Sequence, residues 1–211
     1  MDNVKTIIFG VIAILVLIGL VWYSGVGRQG DDQSASITDT DDQIIAQDVE
    51  DLVLGSPDAP VTIVEYSSHT CGHCIDFHND TFPLLVDKYV KTGQVKFILR
   101  LVSPLELGMS VLCANEQERF PEFNEHLFAR IEELESVDGL KEMAGTLGLD
   151  QDAFSQCLDS ERYKDRVNQW FDQVREDGVE GTPTFFINGQ KLIGNQPLEV
   201  FEQIIEEALS Q

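Results

Sequence analysis

The sequence predicts an α/β domain in which a strand-helix-strand half and a strand-strand-helix half flank a helical insertion, preceded by a single N-terminal transmembrane helix. Three observations carry that prediction. A β-branched run, a helical pattern and a second apolar run follow one another over residues 59–102. An Asn-Gly turn between two short apolar runs at 182–194 closes a hairpin, and the stretch between the two halves keeps a helical period. Near the amino terminus, Thr6 to Gly27 carry no charge.

Within that uncharged run, "IIFGVIAILVLIGLVWY" is almost wholly apolar, and at about 1.5 Å per helical residue the run reaches roughly 30 Å, enough to cross a bilayer core. The expected division is a short cytoplasmic tail at 1–6, a transmembrane anchor at 7–23, an acidic flexible linker at 24–53 and a folded domain at 54–211. A cleaved signal peptide is the alternative, but "WYSGVG" is a weak cleavage site. The linker is rich in Asp, Ser, Gln and Gly and has little apolar surface to bury, although "EDLVLG" reads as an edge strand at the domain entrance. Cysteine usage places the domain outside the cytoplasm.

The formal net charge of −23 excludes a nucleic-acid binder, which needs Lys and Arg against phosphate, and argues against docking on anionic lipid headgroups. It leaves a solvated acidic surface.

"APVTIVEYSS" reads as a buried strand. Ile75, Phe77, Phe82, Leu85, Val86, Tyr89 and Val90 then fall at helical spacings, with Pro83 expected to kink the helix and Gly93 to end it. "QVKFILRLV" is the second strand, parallel to the first through a right-handed crossover. The insertion occupies about 104–179, where Tyr163, Val167, Trp170, Phe171 and Val174 form an apolar stripe stopped by Gly178. "TPTFFINGQKLIG" is the hairpin, and a last helix follows, with Pro197 in its first turn and Leu198, Phe201, Ile205 and Leu209 on one side.

Cys71 and Cys74 therefore lie between a buried strand and a helix start, where N–H groups and the helix dipole favour a thiolate. Cys74, one turn on, can close a local disulfide. His73 can add charge or a hydrogen bond near the sulfur. A C-x-x-C pair also serves zinc, and Cys71, Cys74 and His78, with His69 or His73, could supply ligands; one helix start is a poor place to gather four of them.

"SPDAPVTIVEYSSHTCGHC", together with "EGTPTFFINGQ" beyond a helical insertion, resembles the DsbA-like thiol-disulfide oxidoreductases of the thioredoxin superfamily. The resemblance covers the chain from about Leu54 onward and implies a thioredoxin fold. It implies a cis peptide between Thr182 and Pro183, lying against the active cysteines, with the main chain at Thr182 pairing an extended substrate segment. It also implies that Glu65, six residues before Cys71, takes or returns the proton of Cys74. The alternative for Glu65 is a solvated strand-end carboxylate. Cys113 and Cys157 are expected to form a structural disulfide in the insertion, as in some members of that family, the alternative being two buried free thiols.

The expected activity is the introduction of disulfides into exported proteins. The substrates would be thiol-containing exported proteins, and reoxidation would need a quinone-linked membrane partner. No cofactor, metal or nucleic acid is expected, and a monomer is. Gly72 departs from the Pro of many strongly oxidising members and makes "CGHC", the sequence of protein disulfide isomerases, so a reductase or isomerase fed by a membrane electron donor stays open. A metal carrier and a non-catalytic peptide-binding factor are the more distant alternatives.

Overall fold

The edge strand expected in "EDLVLG" is present as β1, Leu52–Leu54, antiparallel to a later strand with Leu52 opposite Leu99. The computed structural model describes residues 51–134 and 136–210, so the expected tail, the anchor and nearly all of the linker lie outside the described residues. Among the described residues no helix is long and apolar enough to cross a membrane. The folded domain does include Asp51 to Val53, which a linker ending at residue 53 leaves out: Leu52 is fully buried and Asp51 pairs with Arg100.

β2, Val61–Ser67, is buried along its whole length because it is central in the sheet. Helix α1 follows over residues 72–90. β3, Val95–Leu101, lies parallel to β2 with Val61 opposite Val95. The insertion contains α2 (Leu105–Asn115), α3 (Phe120–Arg130), a 3-10 turn (Ile131–Glu133), α4 (Val137–Thr146), α5 (Gln151–Asp159) and α6 (Lys164–Glu176). The chain ends with β4 (Thr184–Ile187), β5 (Gln190–Ile193) and α7 (Leu198–Leu209). The strand order is β1-β3-β2-β4-β5, so the mixed sheet places β2 between a parallel and an antiparallel neighbour.

Alternation along β2 sorts the core. Val61 and Ile63 join Phe77, Phe185 and Phe201 in the large cluster that continues into the insertion, whereas Val64 and Tyr66 join Ile98 and Phe186 on the opposite face. Glu65 shares its parity with Ile63 and so is carried into the α1 side of the core. Arg100, itself buried, is held by Tyr66, Asp51 and Asp177, and Trp170 donates to Asp51. A buried guanidinium needs such partners to offset its desolvation.

Around Pro83, where a kink is expected, the helix changes its turn. Two five-residue segments of α1, Phe77–Thr81 and Val86–Val90, are π-helical, with the Phe82 N–H bonded to the Phe77 carbonyl and the Lys91 N–H to that of Val86. Pro83 has no N–H to give, and the wider turns on either side of it accommodate that loss. Gly93 closes the helix in the left-handed region at φ +77°.

Two expectations about the later helices need correction. In α6, Val167 and Trp170 are buried but Phe171 is 42% exposed. The stripe runs 163, 167, 170, 174 at spacings of four and three, and Phe171 lies one residue, about 100°, off it. Pro197 caps α7 from outside rather than opening its first turn.

Candidate active site

Cys71 is the N-cap of α1, with extended backbone at φ −99° and ψ 118°, so the first free N–H groups of the helix face its sulfur. The side chain is half-buried, and its thiol donates to the Thr182 carbonyl at 3.2 Å. Thr182 precedes a cis peptide to Pro183, so the hairpin motif and the cysteine motif do meet. Pro183 itself is buried, and Thr182 is the more accessible of the two. Burial opposes ionisation of Cys71 and is the largest single influence. The polar groups of Thr182, Cys74 and the His73 backbone around the sulfur together outweigh it, so the thiol is held below its ordinary value.

Cys74 is fully buried and accepts from the Ser68 N–H at 3.4 Å. Burial, reinforced by the Glu65 charge, pushes its thiol up to about 12. Both cysteines are thiols in this structure. The pair is therefore asymmetric: an accessible sulfur that ionises readily and a buried one that keeps its proton.

His73 enters through its backbone, since its ring is exposed and makes no hydrogen bond among the described residues. Glu65 is not solvated. It is wholly buried and meets His78 Nε2 at 3.0 and 3.2 Å, and His78 stacks on Phe128 at a ring separation of 3.8 Å. His69 is buried as well: its Nδ1 meets Ser103 Oγ at 2.8 Å and its Nε2 meets Asn124 Oδ1 at 2.9 Å. Asn124 accepts through that oxygen, so Nε2 carries the ring proton and Nδ1 accepts from Ser103. Burial lowers the His69 pKa to about 3, which keeps the ring neutral.

These engagements take His69 and His78 away from the cysteines as metal ligands, and among the described residues no group of three or more His, Cys, Asp or Glu side chains could hold a metal. Cys113 and Cys157 are disulfide-bonded, joining α2 to α5 across a sequence separation of 44. Sequence reasoning set His69 and His78 aside as possible ligands and did not find the two buried tethers they form. A histidine within the first strand-helix junction was the signal available, but the partners Ser103 and Asn124 lie 34 and 55 positions away.

Comparisons with known proteins agree with this fold. A family model described as thioredoxin matches residues 47–207. A Rickettsia felis protein is 26% identical over 174 residues, covering 78% of this chain and 62% of its own length, so the match spans less than two thirds of that relative. Disulfide bond formation protein D of Bacillus subtilis is 26% identical over 169 residues, covering 74% of this chain and 76% of that protein. The crystal structure of Wolbachia pipientis alpha-DsbA1 superposes with a TM-score of 0.69 at 30% identity, covering 76% of this chain and 92% of that one.

Proposed function

The chain belongs to the thioredoxin family, with DsbA-like proteins among its relatives, and from that premise we propose that it is an extracytoplasmic thiol-disulfide oxidoreductase that donates disulfides to exported proteins through Cys71 and Cys74. The asymmetry of the two thiols carries this reading. A readily ionised Cys71 is a good leaving group as well as a nucleophile, so a Cys71-Cys74 disulfide at this place is passed on easily.

In the donating direction, a substrate thiolate attacks Cys71 Sγ, the Cys71-Cys74 bond breaks, and Cys74 leaves with the electron pair and takes up a proton. The substrate's second thiolate then attacks its own mixed-disulfide sulfur and releases Cys71 as a thiolate. In the dithiol the Thr182 carbonyl is occupied by the Cys71 thiol. In the disulfide Cys71 has no hydrogen to donate, which leaves that carbonyl to an extended substrate segment. Oxidised protein thus binds substrate better than reduced protein does, which favours product release.

The uncharged run at 7–23 supports a membrane anchor that holds the domain at the outer face of the cell membrane. Thiol-bearing exported proteins would be the substrates. A quinone-linked membrane partner, as the family resemblance implies, would restore the disulfide.

Equilibration of the full chain against glutathione tests the direction. A potential near the roughly −120 mV of a strong oxidant is expected, and one near roughly −270 mV would reassign the protein as a reductase despite the same fold. Cys74→Ser should trap substrates as mixed disulfides in cells, and Cys71→Ser should trap none.

A further inference from the structure

Cys74 must lose a proton to attack a mixed disulfide at Cys71, and its sulfur is sealed from solvent. Cys74 and His78 are one turn apart on α1, both buried against β2, where Glu65 sits opposite His78 at 3.0 Å. All the polar contacts of the His78 ring go through Nε2. Among the described residues its Nδ1 has no hydrogen-bond partner. His78 also lines a cavity of about 260 Å³ between α1 and α3, whose walls include Phe82 and the exposed Asp87, Lys91 and Glu125, so the cavity opens to water.

Taking Glu65 as the proton acceptor of Cys74 that the family resemblance implies, we propose that His78 is the positioning residue that holds Glu65 and connects it to water through the cavity between α1 and α3, so that the two exchange the Cys74 proton as a pair. This rests on the disulfide-exchange reading of Cys71 and Cys74. In the resolving step the Cys74 Sγ–Cys71 Sγ bond forms and the bond from Cys71 Sγ to the partner sulfur breaks. The partner leaves as a thiolate with the electron pair, and the Cys74 proton passes to the pair and on to water. In the donating direction the proton returns by the same route. The groups that the described residues bring to bear on the pair are Cys74, Asp87 and Lys91 from α1, Asn124 and Glu125 from α3, and the neutral His69 beside β2.

The test is the reaction of the reduced full chain with oxidised glutathione, followed from about pH 5 to 10 in two phases: formation of the Cys71 mixed disulfide, then its resolution by Cys74. His78→Gln is expected to slow resolution roughly tenfold or more near neutral pH, with the gap closing as hydroxide takes over proton removal. In His78→Ala, imidazole in the buffer should restore part of the rate by entering the enlarged cavity. Glu65→Gln should show the same pH-dependent loss and gives the answer without any change at His78. Resolution at the wild-type rate in these variants overturns the proposal. So does slowing by the same factor at every pH without imidazole rescue, which is the mark of a structural role. Absence of the first phase in wild-type protein would instead defeat the exchange reading itself.

Discussion

His69 shows how one buried side chain can tie the cysteine loop to the insertion. Two residues before Cys71, it is anchored by its backbone N–H and its Nδ1 to Ser103, and by its Nε2 to Asn124 on α3. The folded ring stays neutral down to about pH 3 because burial disfavours the imidazolium, while in the unfolded chain it protonates near its ordinary value of 6.5. Below that value the unfolded state binds more protons than the folded one, so the contribution is fully present above pH 6.5 and is lost as pH falls toward 3. His69→Gln removes this proton uptake. Denaturant titrations of the variant should show a stability slope shallower over that window by up to one proton, about 1.4 kcal/mol per pH unit. At neutral pH it should be destabilised by about 1–3 kcal/mol through lost hydrogen bonds.

At the scale of elements, the β4-β5 hairpin carries the Thr182-Pro183 step to the cysteines, and its turn does more than reverse the chain. Asn188 and Gly189 both have positive φ, 44° and 85°, the pair of conformations that a two-residue turn between twisted strands requires. The Asn188 side chain also accepts from the Thr62 N–H at 2.8 Å and donates to the Pro60 carbonyl, fastening the hairpin to the start of β2. Asn188→Ala should therefore cost about 2 kcal/mol, from a strained turn and a partly buried N–H left unpaired, read as a lower denaturation midpoint at an unchanged slope. The turn was legible because Asn-Gly is a local signal. The π segments of α1 were not, since the sequence shows that Pro83 lacks a donor but not which neighbouring turns will widen in response.

Across the whole molecule, what could be read in advance were features that local chemistry decides: the buried β-branched run of β2, the cysteines at a helix start, the hairpin. The buried pair Glu65-His78 depended on how α1 packs against β2, and His69-Asn124 on how the insertion packs beside the cysteine loop, which no local pattern encodes. That packing has its own fastening, because α2 and α5 are joined by Cys113 and Cys157, both buried in the core shared with α6. The bond closes a loop spanning 44 positions, so its removal should cost at most about 4 kcal/mol by restoring freedom to the unfolded chain. It joins α2 to α5 within the insertion, whereas Cys71 borders Thr182 beside the hairpin, so its loss should leave the reacting groups in place. The double variant Cys113→Ala, Cys157→Ala should unfold at lower denaturant yet form the Cys71 mixed disulfide with oxidised glutathione within about twofold of the wild-type rate below its transition, as expected for sites that do not couple. A matching fall in that rate under folding conditions would mean that the disulfide sets the position of α3, and through Asn124 and His69 the loop that presents Cys71.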